Sequence, residues 1–214
     1  MIKNRFFLTG LLLLTLIVVY YTFFDSGNGT SVGGLDESVN PAAYRQEIEK
    51  QRNEKNRFLK SDAQSPVKDK TNFKGLVYFE PDPAYRVAAR LEPFADKTQK
   101  LVVRMSDGSE EVYDKFAHAV FSLNDKTGRL LIVKLQNTYS ILFRDATSNK
   151  ETYGGGRYIE LNPDQLTGNR VILDFNTAYN PYCAYNPTYA CPIPPAENTL
   201  PIAIKAGEKY LQHE

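Results

Sequence analysis

The sequence predicts a mainly β protein, an antiparallel barrel or sandwich with one N-terminal amphipathic helix, preceded by a single transmembrane helix. Three observations predict it: an uncharged run at residues 6–24, a charged helix-forming stretch that opens on Asn40-Pro41, and a series of short apolar segments from Phe73 onward, separated by hairpin-type turns. The 214 residues leave room for one domain of ordinary size once an anchor and a stalk are set aside. The expected division is a cytoplasmic N-terminus at 1–5, a transmembrane signal anchor at 6–24, a flexible stalk at 25–39 and a globular β-rich domain at 40–212.

The anchor is justified by length. Thr9, Gly10, Thr15 and Thr22 are the small or polar interruptions of the apolar run, and at about 1.5 Å per residue it spans roughly 28 Å of hydrocarbon. Lys3 and Arg5 precede it, Asp25 follows it, and the next basic residue is Arg45. The positive-inside rule therefore puts the N-terminus in the cytoplasm and the C-terminal domain outside it, on a single-pass membrane protein. A cleaved signal peptide is the alternative; its apolar core would be shorter, about 7 to 15 residues, although Ser26, Gly27 and Gly29 offer small residues for cleavage. Residues 25–39 are rich in Gly, Ser and Asp and carry no apolar period, the composition of a stalk.

The helix follows, with Asn40 as N-cap, Pro41 at the first helical position and no breaker before Ser65-Pro66. Its few apolar residues, Tyr44, Ile48, Phe58 and Leu59, make a narrow stripe, so it docks on a surface and turns its charges to water. Strands are expected at 75–79, 85–91, 100–105, 110–113, 117–123, 129–135, 140–143, 157–161, 170–175 and 200–205. Asp107-Gly108 and the segment 124–128 supply the positive backbone angles of tight hairpins. No helix separates the strands to support parallel crossovers, and a closed barrel is preferred to a sandwich because closure removes exposed edges.

A charged fraction of 24% cancels to a net +1, which leaves no long-range field to draw nucleic acid. Fourteen Tyr and twelve Phe with no Trp suit strands and half-wet surfaces. Two Cys and two distant His fall short of the roughly four ligands of a zinc site, so neither a metal nor a cofactor is expected.

Three segments are richer in polar, aromatic, Gly and Pro residues than a plain β domain needs. In 144–158, Gly154-Gly155-Gly156 can bring backbone N–H groups to an anion, with Tyr153 beside them and Arg157 as a bidentate donor; the plainer reading is a tight turn with Asp145 and Arg157 paired across it. In 174–195, Ala-Tyr-Asn-Pro occurs twice, six residues apart, in a loop long enough to suggest function. Its Tyr rings either line a groove for a sugar or a peptide or pack on the barrel mouth, and its Asn residues can cap their own turns. Asn176, Asn180, Tyr182 and Tyr185 are the binding candidates there, and Cys183 and Cys191 are expected to form a disulfide in an exported protein. In 197–208, alternating Leu200, Ile202 and Ile204 mark a last strand, with Glu197 and Asn198 free for chemistry.

Asp145, Glu151, Asp174 and Glu197 form the pool from which a glycosidase-like pair of carboxylates would come. His118, within a strand, and His213 read as structural, and no Gly-x-Ser-x-Gly elbow is present. The leading expectation is a binding module for an envelope ligand or protein partner, with a hydrolase of an envelope glycan or lipid-linked substrate as the alternative.

Several strings are more specific than any of these motifs: residues 73–82 (FKGLVYFEPD), 143–147 with 151–158 (FRDAT, ETYGGGRY), Asp174-Phe175-Asn176 with Tyr179-Asn180-Pro181, and Cys191-Pro192 with Pro194-Pro195 and Glu197-Asn198. In these the chain resembles domain of unknown function 1684, from about the helix to Lys209. The resemblance implies a family of bacteria and some archaea with no established activity, so it assigns no catalytic or binding residue. It also implies relatives without an export segment, in which the two cysteines need not be bridged.

Overall fold

A computed structural model describes residues 40–166 and 168–210. The cytoplasmic end, the anchor and the stalk lie outside the described residues, as do 211–214. Among the described residues no helix is long and apolar enough to cross a membrane.

The helix α1 (Pro41–Ser61) starts as its first residues dictate: the Asn40 side chain accepts from the Ala42 and Ala43 N–H groups at 3.0 and 3.2 Å. It stops at Ser61, short of Pro66, because side chains beyond it offer the backbone local alternatives. The Asp62 carboxylate takes the Gln64 N–H (2.8 Å) and the Ser65 hydroxyl takes that of Val67 (3.1 Å). Ile48 and Leu59 are buried and Tyr44 and Phe58 half-buried, the narrow stripe expected.

Seven antiparallel strands form one curled sheet: β1 (Arg86–Pro93), β2 (Lys100–Arg104), β3 (Glu110–Leu123), β4 (Lys126–Leu135), β5 (Thr138–Phe143), β6 (Arg157–Leu161) and β7 (Arg170–Asp174), in the order β6-β5-β4-β3-β1-β7 with β2 also on β3. The segments 110–113 and 117–123 are one strand. A register shift between Lys115 and Ala117 bends it, so its first half pairs with β2 and its second with β1. The turn before β4 is tighter than expected: only Asn124 and Asp125 lie outside the ladder, both at positive φ (51° and 58°), the two-residue geometry that matches the twist of a hairpin. Gly128 then sits inside β4, where a Cβ would lie 2.3 Å from the Phe121 ring.

The sheet is a half-barrel. No ladder joins its end strands β6 and β7 among the described residues. The helix lies over that opening instead, since the Tyr44 hydroxyl meets both oxygens of Asp174 at the end of β7 (2.7 and 2.8 Å), and Tyr44 and Ile48 line a crevice shared with Ile159 of β6 and Ile172 of β7. Hydrophobic cover thus replaces the hydrogen-bonded closure of a barrel.

One face of the sheet carries the main core, where Phe175 packs against Phe121 and Phe143 at centroid distances of 5.4 and 5.6 Å. A smaller cluster of Val103, Tyr113, Leu131, Val133, Leu142 and Tyr158 occupies alternate positions on the other face. Two expected strands are absent. Residues 75–79 make a single bridge, Tyr78 to Glu208, and 200–206 make no ladder although Leu200, Ile202, Ile204 and Ala206 are buried in alternation.

Candidate functional site

The long loop after β7 is built by covering sheet edges. Tyr179 exchanges both backbone hydrogen bonds with Tyr158 (2.9 and 3.0 Å), which caps the free side of β6. Ile193 donates to Arg104 (2.8 Å), and Cys191 bonds Ser106 through both its N–H and its carbonyl, which extends the end of β2. Between these anchors the two Ala-Tyr-Asn-Pro copies behave differently. Asn186 caps its own turn, its Oδ1 taking the Thr188 N–H (3.1 Å), as expected of Asn before Pro. Asn180 turns inward and donates to Glu208 Oε1 (2.8 Å) and the Lys209 carbonyl (3.0 Å).

This path leaves a groove of about 510 Å³ lined by Tyr158, Tyr179, Tyr182 and Tyr189, with Cys191 in its wall and Lys55 and Glu160 as its charged residues. Tyr182 and Tyr189 meet edge to face at 5.5 Å and are 38% and 37% exposed. Beneath them Tyr179 donates to Glu160 (2.7 Å), lies under the Lys55 ammonium (4.5 Å from the ring centroid), and packs on Tyr158, which donates to the Pro192 carbonyl. Burial raises the Tyr158 and Tyr179 hydroxyls far above the ordinary tyrosine pKa, so both remain protonated donors.

Behind the groove lies a buried carboxylate. Glu208 is fully buried; Asn180 and Tyr185 donate to Oε1, and Lys55 (2.9 Å) and the Asn180 N–H (3.4 Å) meet Oε2. Tyr185 therefore faces inward, and burial raises its pKa. Tyr182 is the loop candidate left facing the groove.

Arg157 does not face a ligand site: it is 1% exposed, and its two terminal guanidinium nitrogens bond Asp145 Oδ2 (2.7 Å) and the carbonyls of Ile204 (3.0 Å), Ala206 and Glu208 (3.3 Å), while its Nε is buried without a partner among the described residues. Those carbonyls belong to the C-terminal segment that makes no ladder, so the side chain takes the place of a neighbouring strand. Asp145 also accepts from the Thr147 N–H (2.7 Å) and hydroxyl (2.6 Å), so the pairing across the turn is structural. The glycines are required by close approach rather than by an anion: a Cβ on Gly156, at φ +95°, would lie 2.5 Å from Pro194 and 2.7 Å from the Phe143 carbonyl.

The remaining candidates disperse. Asn176 is buried and bonds the Asp82 backbone twice (2.9 and 2.8 Å); Asn198 is buried and clips Leu131 N–H (2.6 Å) and C=O (3.0 Å) and Leu142 C=O (2.8 Å), joining β4 to β5 where their ladder lapses. Both are scaffold rather than ligand groups. Tyr153 meets Tyr210 edge to face and reaches Cys183 Sγ (3.9 Å), outside the groove. Of the carboxylates, Asp145 holds Arg157, Glu151 faces Lys205 (3.6 Å), Asp174 takes Tyr44, and Glu197 takes His118 Nε2 (2.8 Å). None of the cavities described holds two of the four. Because Arg129 only donates, its 2.8 Å contact casts His118 Nδ1 as the acceptor and Nε2–H as the donor to Glu197, a structural arrangement.

Cys183 and Cys191 are free thiols, where the sequence led to a disulfide. The 3-10 turn Tyr182–Ala184 aims the Cys183 N–H at the Cys191 sulfur (3.1 Å), so the pair is held by a hydrogen bond. Burial pushes the Cys191 thiol up to about 12. Iodoacetamide at pH 8 is therefore expected to alkylate half-exposed Cys183 first and Cys191 at least roughly tenfold more slowly, read by mass spectrometry of the folded protein. Equal rates would contradict this burial.

The residues sequence reasoning missed are Lys55, Tyr158, Glu160 and Glu208; Tyr179 and Tyr189 belong to the loop whose rings were expected to line a groove or pack. Two signals pointed at them. Lys55 lies seven residues after Ile48, on the helix stripe, and Glu208 continues the every-second-residue phase of Leu200, Ile202, Ile204 and Ala206.

Comparison with known proteins agrees with this architecture. The solution NMR structure of an uncharacterized protein of Haloarcula marismortui is similar, with 36% identity, a TM-score of 0.63, and coverage of 80% of this chain and 97% of that one. No curated protein matches. The family described as "Protein of unknown function (DUF1684)" matches residues 71–209, which takes in the sheet, the tyrosine loop and Glu208 but leaves α1 and its Lys55 outside. The chain belongs to the DUF1684 family.

Proposed function

We propose that the chain is a binding module whose tyrosine groove takes the rings of a neutral glycan, displayed outside the cytoplasm on the anchor expected at 6–24. The observation that carries this reading is the groove itself: aromatic faces and hydroxyl tips at the surface, with one carboxylate and one ammonium of opposite sign. Flat apolar faces with a few placed polar groups suit a sugar ring, which is apolar on its faces and hydroxylated at its rim. Glu160 is the groove's one carboxylate and is engaged by Tyr179, so the reading is capture without cleavage.

Because the chain has no Trp, tyrosine emission is unmasked, and four of its fourteen tyrosines line the groove. Titration of the full chain with cellohexaose and chitohexaose is expected to give saturable changes. The double variant Tyr182→Ala/Tyr189→Ala should weaken binding about tenfold, the scale of two lost aromatic contacts, with an unchanged melting temperature. Binding unaffected by the double variant would overturn the reading, and shortened oligosaccharide after incubation would move it to a hydrolase.

A further inference from the structure

We propose a second, separate binding site: the cavity between residues 67–77 and the C-terminal residues 208–210 takes an amphipathic organic anion with a hydrogen-bond donor at the end remote from its charge. The cavity is about 470 Å³, within the range of small-molecule sites. Val67, Phe73, Leu76 and Val77 give it an apolar wall. Lys68 and Lys74 line it as exposed side chains without an ion-pair partner among the described residues. Asp69 also lines the cavity and keeps its charge while accepting the Asn72 N–H (3.1 Å) and amide (2.7 Å), but Lys209 is a third cation in the lining, so the positive charge prevails.

The inner surface is selective in a different way. Glu208 would repel an anion if bare, yet it is neutralised by Lys55, which reaches it from the tyrosine groove, and is hydrogen-bonded by Tyr185 and Asn180. Asn180 lines the same cavity, is 1% exposed, and has a buried Oδ1 with no donor. An unpaired buried acceptor is costly and asks for an N–H or O–H. Together these groups call for a chain of apolar atoms, a deep donor and an anion at the lysines.

The test is calorimetric titration of the full chain at low salt with 10-hydroxydecanoate, decanoate and decanol. 10-Hydroxydecanoate is expected to bind saturably and severalfold more tightly than decanoate, with decanol weakest. The variant Lys68→Glu/Lys74→Glu, at exposed positions that leave folding intact, should weaken it at least roughly tenfold, and added salt should weaken it too. Tyr182→Ala/Tyr189→Ala should leave it unchanged, so failure here is distinct from failure of the glycan reading. Absence of saturable binding, equal affinity for the two acids, or loss in the tyrosine variant rather than the lysine variant would each overturn the proposal.

Discussion

Arg157→Ala is expected to destabilise the fold by about 3–5 kcal/mol, the cost of leaving one partner of a buried pair without the other. At roughly 2–4 °C per kcal/mol for a domain of this size, the melting temperature should fall by about 6–20 °C. Asp145 would lose its cationic partner at 1% side-chain exposure, left with the Thr147 N–H and hydroxyl and the Ile204 N–H (3.4 Å), and the Ile204, Ala206 and Glu208 carbonyls would lose their donor. The double variant Arg157→Leu/Asp145→Leu separates the two contributions. Replacing a buried ion pair by apolar groups is often neutral, so full recovery would mean that the pair alone mattered. Partial recovery is expected, because the C-terminal segment has no ladder to satisfy those carbonyls otherwise. A melt of Arg157→Ala within 2–3 °C of the parent, or about 1 kcal/mol, would sink this account.

Glu208→Gln should cost about 3 kcal/mol, although it changes one atom. Each carboxylate oxygen accepts from two donors, so the amide NH₂ of glutamine must face donors wherever it points. The charge that offsets Lys55 is lost as well. Urea unfolding measures this, with the midpoint shifting and the slope unchanged. The variant should also loosen α1, since Lys55 makes one of the long-range polar contacts that tie it to the sheet domain, beside Tyr44 to Asp174, Arg52 to the Phe79 carbonyl (2.8 Å) and Asn56 to the Leu76 N–H (2.8 Å). Faster amide exchange at residues 52–59 than in the parent is the expected sign; unchanged exchange would show that the Lys55–Glu208 contact does not hold the helix.

Much of the fold was legible because its signals are local. The Asn40 cap, the stripe of Ile48 and Leu59, the Asp107-Gly108 and Asn124-Asp125 hairpins and the alternation within β1 to β7 each depend on residues a few places apart. The errors share a cause. Residues 75–79 and 200–205 have strand-like alternation, but alternation reports burial and not the presence of a partner. The 200–206 backbone is satisfied instead by Arg144, Ala146 and Arg157; the sequence left Arg157 open between a ligand donor and the partner of Asp145, because a guanidinium beside three glycines looks the same whether it faces water or a carbonyl, and the structure shows the pair. The groove was legible in part: Tyr182 was named, whereas Tyr185, of the same type three residues on, faces Glu208.

The amino-acid order by itself determined the hairpins, the helix start and the antiparallel β class, and the expectation of an anchor at 6–24 rests on it alone, since backbone conformation and hydropathy are set by near neighbours. Which polar residues are scaffold and which face solvent was decided by tertiary structure alone. Lys55 and Glu208 are 153 residues apart, Asn198 and Leu131 are 67 apart, and Arg157 reaches carbonyls 47 to 51 residues away. A buried charge takes its role from its partner, and distant partners are chosen by how the sheet curls and where the helix lies across its opening.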